Sequence, residues 1–300
     1  MSTGTPGGGI VVGIDGSDSA VEAARWAAVV ARRLGEPLRL VHAHSGGPGD
    51  ADEPTREVLD NAEAAILEEG AAVDAAAPRE PTAGNELTAE LAVEKNAVSG
   101  RPANALSDLS ASARMVVLGH TTTSELQSMF RRSDVVYVAN HAVCPVVSWR
   151  SEQGFRPPDG RPIVVGVDGT QLSSAAIGEG YRLAAALEAP LVAVHTWVEQ
   201  STITYGEDSR FTDWTDFAAF QKAAMVESMV DWASEFPDVE VEHRVERGKP
   251  DIVLLEHSAH AQLIVVGSHG RSAQSSAILG STSQGLIHHS FCPVAICRAR

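Results

Sequence analysis

The chain has 300 residues, of which 44% are hydrophobic, 21% charged and only 5% aromatic. That length suits two domains of ordinary size, and the composition is that of a soluble globular protein rather than a disordered one. The formal net charge of −16 would repel nucleic acid phosphates and anionic membrane surfaces, so neither nucleic acid nor membrane is an expected partner.

The beginning of the chain predicts no targeting segment. Residues 1–9 are small and polar, with neither a basic start nor an apolar stretch, which indicates a flexible tail rather than a secretory signal. No apolar run reaches the ~18 residues that cross a bilayer. The three cysteines, Cys144, Cys292 and Cys297, show no CxxC spacing, so they indicate neither a disulfide scaffold nor a zinc site. A reducing cytoplasm fits this usage best.

An internal repeat organises the rest of the sequence. The segment IVVGIDGS at 10–17 returns as IVVGVDGT at 163–170, an offset of 153 residues. Later matches, such as Cys144-Pro-Val with Cys292-Pro-Val, have an offset of 148. We therefore predict one domain over 10–150, a linker rich in Gly and Pro over 151–162, and a second domain over 163–300.

Within each repeat, apolar runs of strand length alternate with Ala-rich segments that have helical spacing. In the first helix, Ala20, Ala24, Ala27, Ala31 and Leu34 share one face. In the second repeat the pattern predicts strands near 163–168, 191–196, 239–246, 263–267 and 293–297, and helices near 172–187, 216–235, 250–260 and 281–290. The fold class is therefore α/β, with two tandem doubly wound, Rossmann-like parallel-sheet domains.

Ligands of such sheets bind beyond the carboxyl ends of the strands, where the strand order reverses. Asp168, Thr196 and Gly267 all lie at predicted strand ends of this kind. Gly267-Ser-His-Gly270 is followed by nine residues and then by Gly280-Ser281, which opens a predicted helix. Glycines allow backbone N–H groups to approach an anion closely, and the first turn of a helix adds unpaired N–H groups, so this loop predicts a phosphate site.

Ser281 and Gln284 have the spacing of a capping box, which predicts that the helix starts at Ser281. His269 and Arg271 lie close enough in the sequence to reach bound phosphates. Thr282 and Ser283 supply further hydroxyl groups in the same turn. We expect no catalytic residue and no metal site formed by protein side chains alone.

The spacing Gly-x-x-Gly, nine residues, Gly-Ser resembles the ATP-binding signature of the universal stress protein family. The likeness extends over nearly the whole chain as a tandem pair. It implies that Asp168 and the backbone of Thr196 hold adenine, that Gly267 lies by the ribose, and that Gly270, Gly280, Ser281 and Thr282 surround the phosphates. It also implies ATP with Mg²⁺ as cofactor, and contacts through the closing strands 145–149 and 293–297, between the two repeats or between two chains in a homodimer.

The first repeat departs from this pattern. Thr122 stands where the second repeat has Gly270, and Arg132 stands where it has Gly280. An arginine side chain would occupy phosphate space, although its guanidinium group could also bind a phosphate. The weaker counterparts that remain in the first repeat are Asp15, Ala43, Gly119 and Ser133. We predict a degenerate first site and an intact second one.

Three functions fit this pattern. The first is an ATP-binding stress-response protein whose regulatory contacts depend on nucleotide. The second is a slow ATPase or autophosphorylating protein, although the loop has no Walker-type lysine and no convincing base. The third is an interaction protein that does not need nucleotide.

Several other residues favour structural roles. His42 and His195 occupy one repeat position, which predicts packing or a hydrogen bond to the backbone, and Cys144 and Cys292 predict small buried hydrophobes. The pairs His257/His260 and His288/His289 could bind a metal by spacing, but no third ligand accompanies them. An aromatic group after the second strand could cover the nucleotide or pack against the protein, namely Trp197, Tyr205, Phe211, Trp214 and Phe217.

Overall fold

The computed structural model divides the chain into two compact units, Met1–Asp159 and Gly160–Arg300. It describes residues 8–44, 53–76, 91–120, 132–150, 155–169, 171–198, 214–269 and 278–298. The division lies inside the segment that was proposed as a linker. Phe155 belongs to the first unit, where its ring lies 6.2 Å from that of Trp149.

The first unit is a five-stranded sheet with alternating helices, in the strand order β3-β2-β1-β4-β5. All of its strand pairs are parallel. Its elements are β1 (Ile10–Gly13), α1 (Asp18–Leu34), β2 (Leu38–His44), α2 (Glu53–Ala76), β3 (Val93–Ser99), α3 (Pro102–Leu109), β4 (Met115–Gly119), α4 (Arg132–His141) and β5 (Val146–Trp149).

The second unit repeats this plan, with the strand order β8-β7-β6-β9-β10 and parallel pairing. The doubly wound fold is therefore confirmed in both units. Its elements are β6 (Ile163–Gly166), α5 (Gln171–Ala186), β7 (Leu191–Trp197), α6 (Trp214–Glu235), β8 (Val241–Arg247), α7 (Pro250–Ser258), β9 (Leu263–Gly267), α8 (Ser281–His289) and β10 (Val294–Cys297).

The first helix shows how the sequence produces this architecture. The Ser17 side chain accepts a hydrogen bond from the backbone N–H of Ala20, which caps the helix, and Gly35 ends it in the left-handed region at φ 67°. Ala20 and Ala24 are fully buried, as the shared face of the sequence predicts. Small residues let the helix lie close to the sheet.

The strands differ according to their place in each sheet. Central strands such as β1 and β4 are buried along their whole length, as expected where helices cover both faces. The first strand in the order of each unit, β3 in one and β8 in the other, consists of exposed and half-buried residues. Among the described residues, no helix combines the length and the apolar character needed to cross a membrane.

The ordered structure begins earlier than the sequence indicated. Gly9 was assigned to the flexible tail, but its carbonyl accepts a hydrogen bond of 2.8 Å from the backbone N–H of Arg114. Gly9 has φ 72° and lies against the backbone of Pro37. Its lack of a side chain therefore permits both the turn and the close approach.

All three cysteines are buried, as expected for Cys144 and Cys292, and none forms a disulfide. Burial raises the pKa of the Cys292 thiol to about 12. Thiolate, not thiol, is the reactive form, so this group is protonated at neutral pH.

We therefore expect no thiol of the native protein to react promptly with a thiol-specific reagent such as DTNB at pH 8. After unfolding in guanidinium chloride, all three should react at the rate of free cysteine. A native protein with one rapidly reacting thiol would show that one of these sites opens to solvent.

Candidate functional site

The strand order of the second unit reverses between β6 and β9, so the candidate site lies beyond the carboxyl ends of these two strands. Asp168 stands two residues after β6 and is half-buried, and Gly169 follows it at φ 78°. The first unit has the same turn, with Gly16 at φ 83° after Asp15. The positive φ at the glycine turns the chain directly after the carboxylate.

A buried histidine holds this turn in each unit. The ring Nδ1 of His195 donates to the carbonyl of Val167 over 2.7 Å, and that of His42 donates to the carbonyl of Ile14 over 2.8 Å. The accepting residue immediately precedes the aspartate in both cases. The sequence-based prediction of a backbone hydrogen bond for these histidines is confirmed, and its consequence is a fixed position for Asp168 and Asp15.

The backbone of Thr196 faces the same edge. Its neighbour Trp197 accepts from the N–H of Gly248 on the β8 side, whereas Val194 accepts from the N–H of Val167 on the β6 side. Backbone groups of successive strand residues point to alternate sides. The backbone N–H and carbonyl of Thr196 therefore point towards the β6 side. They lie beyond the end of β6, whose last residue paired with β7 is Gly166.

Backbone hydrogen bonds hold both ends of the loop between β9 and α8. Gly267 ends β9, and the next residue, Ser268, donates its N–H to the carbonyl of Cys297 at the end of β10. The Ser268 carbonyl then accepts from the N–H of Gly280 over 2.8 Å. This bond joins the two ends of the loop, so Gly280 enters α8 from a fixed point beside the strand.

The predicted helix start at Ser281 is confirmed, but the capping-box contacts are not formed. Gly280, not Ser281, is the N-cap of α8, with φ −63° and ψ 157°, and no side chain caps the helix. Gln284 instead donates its side-chain amide to the carbonyl of Leu279. Helix geometry leaves the N–H groups of residues 281–283 without intrahelical partners, directed out of the first turn.

The hydroxyl groups of this turn differ in their surroundings. Ser283 is buried, and its hydroxyl donates to the carbonyl of Gly267 over 2.8 Å, which fastens the helix to the end of β9. Ser281 is exposed and Thr282 is half-buried. His269 is buried, and its Nδ1 lies 2.9 Å from the Ser268 hydroxyl. Ser281 and Thr282 are therefore the hydroxyls open to a ligand.

Two predicted ligand residues, Gly270 and Arg271, lie outside the described residues, as does Thr122 of the first repeat. The sequence interpretation did not single out Ser268, whose carbonyl closes the loop. The available signal was its place directly after a strand that runs beside the closing strand β10.

The model of the universal stress protein family matches the chain twice, over residues 9–150 and 160–298. The chain belongs to the universal stress protein family. A universal stress protein of Mycolicibacterium smegmatis is 32% identical over 97% of each chain, and one of Mycobacterium tuberculosis H37Rv is 31% identical over the same shares. A universal stress protein structure from Archaeoglobus fulgidus has a TM-score of 0.64 at 18% identity, covering 98% of this chain and 99% of its own, and shows the shared fold.

The first unit of this universal stress protein keeps part of the site. The Asp15 carboxylate accepts from the N–H and the hydroxyl of Ser17, the N-cap residue of α1. The backbone of Ala43 has the same orientation as that of Thr196, because its neighbour His44 accepts from Gly100 on the β3 side. Ser133 is exposed near the start of α4. What differs between the units is therefore the loop composition rather than the turn or the strand end.

Gly119 is retained in the first unit for a packing reason. A Cβ atom at this position would lie 2.1 Å from the carbonyl oxygen of Ser19, in the first turn of α1. Only glycine permits that approach between β4 and α1. Packing alone therefore accounts for a glycine at this position.

Two of the remaining candidate residues, His257 and Trp197, have partners in the described part of the chain. The Nε2 atom of His257, in α7, lies 2.8 Å from the carboxylate of Glu246 in β8, and the described residues contain no group of three or more metal-ligating side chains. Trp197 packs edge-on against Phe217, with 5.4 Å between ring centroids. Tyr205 and Phe211 lie outside the described residues, and the Trp214 side chain is not described.

Proposed function

We propose that the second unit binds one ATP molecule at the edge between β6 and β9, and that the protein acts as a nucleotide-dependent regulator in a stress response. The observation that supports this most directly is the convergence of two sets of backbone groups on one edge. Those of Thr196 point past the end of β6, and those of residues 281–283 point out of the first turn of α8.

Each set matches one end of the nucleotide. A strand backbone offers an N–H and a carbonyl to the edge of a purine, and the adjacent Asp168 carboxylate offers acceptors to its amino group or to ribose hydroxyls. The helix N-terminus offers N–H groups and a partial positive charge to phosphates. Neither the contacts to the nucleoside nor those to the phosphates require a basic side chain, which fits a loop without a Walker-type lysine.

Mg²⁺ would be held chiefly by phosphate oxygens and water. Mg²⁺ commonly takes only one or two protein carboxylates when it binds with a nucleotide, and the described residues contain no larger acidic cluster at this edge. When bound, the ion would neutralise phosphate charge in a protein whose net charge is −16. Asp168 is the nearest candidate carboxylate, but its proposed role is towards the nucleoside.

The direct test is thermal unfolding with and without MgATP. At a free ATP concentration of 100 times Kd, binding to the native state adds about 2.7 kcal/mol to the free energy of unfolding. For a unit of this size, we expect the melting temperature of the second unit to rise by about 5–10 °C. The first unit should melt at an unchanged temperature.

The matched control is tripolyphosphate with Mg²⁺, which supplies the phosphates without the nucleoside and should shift the transition less. If millimolar MgATP and MgADP both leave the melting temperature unchanged, the proposed function is wrong. If MgATP does raise the melting temperature, phosphate release in the same samples shows whether the protein is a slow ATPase or only binds ATP.

Contacts between chains are a further part of this proposal. The closing strands 145–149 and 293–297 are the surfaces that the family resemblance implies for pairing, between the repeats or between two chains. Sedimentation velocity with and without MgATP measures whether association depends on nucleotide.

A further inference from the structure

Helix α6 has one buried apolar face and a second apolar face whose described residues are exposed. Met225 and Met229 are buried, and Trp232 packs against α5, where a Cβ atom on Gly178 would lie 2.4 Å from its ring. On the other side, Phe220 is 59% exposed and Val230 is 51% exposed. Exposed apolar residues scattered singly are ordinary, but a continuous strip along one helix is not.

The exposed face has heptad spacing. Five exposed apolar residues follow one another at intervals of four, three, four and three residues, namely Ala219, Ala223, Val226, Val230 and Ala233. Phe220 flanks this strip, which we call the α6 stripe. The spacing is that of the a and d positions of a two-stranded coiled coil. The stripe runs over 15 residues, or ~22 Å of helix.

The corresponding helix of the first unit shows no such stripe over residues 53–68, the part of it whose side chains the structure describes. Helix α2 follows the second strand of its repeat as α6 does, but its outward residues are mostly charged, including Glu53, Arg56, Glu57 and Asp60. Lys95 of β3 forms ion pairs with Asp60 and Glu63 of α2. The apolar surface of α6 is therefore not a requirement of the fold that the two units share.

The charges beside the stripe identify its occupant. When Ala223 and Val230 are placed at a, Lys222 occupies position g and Glu227 occupies position e of the following heptad. In a parallel pair of identical helices, position g of one chain faces the next position e of the other. Lys222 of each chain would therefore face Glu227 of the other chain, which gives two equivalent contacts. Both side chains are exposed. The pKa of the Glu242 carboxyl in β8 is lowered chiefly by Arg244, and Lys222 lies near enough to add a smaller contribution.

An antiparallel pair would not match these charges. Its e positions face each other, which brings the two Glu227 side chains together, and its g positions bring no acidic partner to Lys222. Phe220 at position e adds apolar area in the parallel arrangement. The pattern therefore specifies both the partner, a second copy of the same helix, and its direction.

We propose that α6 mediates parallel self-association of this protein through the α6 stripe, independently of nucleotide. The contact is short, so the association is weak and develops at high protein concentration, as is typical of interfaces below ~1,200 Å². It gives a chain with a strongly negative charge a specific means of pairing, because the two Lys222–Glu227 contacts offset repulsion locally.

The first test compares Val230→Glu with Leu67→Glu by sedimentation equilibrium of the full chain without ATP. Both residues are more than half exposed, 51% and 59% respectively, so both variants should fold, as circular dichroism will check. We expect Val230→Glu to weaken association at least tenfold and Leu67→Glu to leave it unchanged. A wild-type chain that is monomeric at millimolar concentration, or a Val230→Glu chain that associates like wild type, overturns the proposal.

The second test exchanges the charges. Lys222→Glu and Glu227→Lys each place like charges together in a parallel homodimer, so each variant alone should associate less than wild type. Mixed together, they should form heterodimers preferentially, since both contacts then join opposite charges, one in the original sense and one with the signs exchanged. Native mass spectrometry of the mixture measures this directly, and heterodimers no more abundant than either homodimer would exclude the parallel contact.

Discussion

Replacement of Gly280 by arginine is expected to abolish ATP binding by the second unit while the unit stays folded. Gly280 has φ −63° and ψ 157°, which any residue can adopt, so arginine there introduces no backbone strain. Its N–H would still reach the Ser268 carbonyl. The added side chain would enter the space proposed for the phosphates, and we expect ATP affinity to fall by at least ~100-fold, or ~2.8 kcal/mol.

Gly285→Ala is the matched control for this variant. Gly285 lies in the same helix, and a Cβ atom there meets only the Asp251 Cβ at an ordinary 3.5 Å. Alanine should stabilise the helix by ~1 kcal/mol and leave ATP affinity unchanged. Isothermal titration calorimetry with MgATP measures the ATP affinity of each variant. A Gly280→Arg protein that binds ATP like wild type would place the phosphates elsewhere.

Replacement of Gly119 by alanine should cause a large loss of stability in the first unit. The new Cβ atom would lie 2.1 Å from the Ser19 carbonyl oxygen and 2.4 Å from the Ser19 carbonyl carbon. These are backbone atoms, so relief requires α1 to move away from β4. We expect a loss of ~3 kcal/mol, at the upper end of the range for overpacked cores.

Urea unfolding measures the loss, and hydrogen exchange at α1 and β4 shows whether it is confined to the first unit. Gly35→Ala serves as the control, because Gly35 has φ 67° and nothing within 4 Å of its Cβ position. That change should cost ~1 kcal/mol through backbone strain alone. Equal losses for the two variants would contradict the packing role of Gly119.

The sequence was sufficient to predict the architecture because the evidence for it is local and is repeated. The run Ile163–Gly166 forms a strand for the same reason that Ile10–Gly13 does, and the alternation of strands and helices leaves few topologies for a parallel sheet. The backbone hydrogen bonds of His42 and His195 were predictable for a similar reason. Two independent copies of one residue at one position indicate a common structural need.

Features that depend on distant contacts were not predictable. Ser281 and Gln284 have capping-box spacing, but the contact between Gly280 and Ser268 moves the N-cap one residue earlier. Gly119 resembles a remnant of a phosphate loop until the approach of α1 is seen. The positions of Thr196 and Ala43 at strand ends were predictable, but the direction of their backbone groups follows from the hydrogen bonds of their neighbours, which the sequence does not show.

The number of nucleotides bound per chain tests the central proposal most directly. The second unit has both glycines of its loop, Gly270 and Gly280, whereas the first has Thr122 and Arg132 at these positions. Isothermal titration of the full chain with MgATP should therefore give one site per chain, and none after Gly280→Arg. Two sites per chain, or one site that survives Gly280→Arg, would contradict the asymmetric assignment.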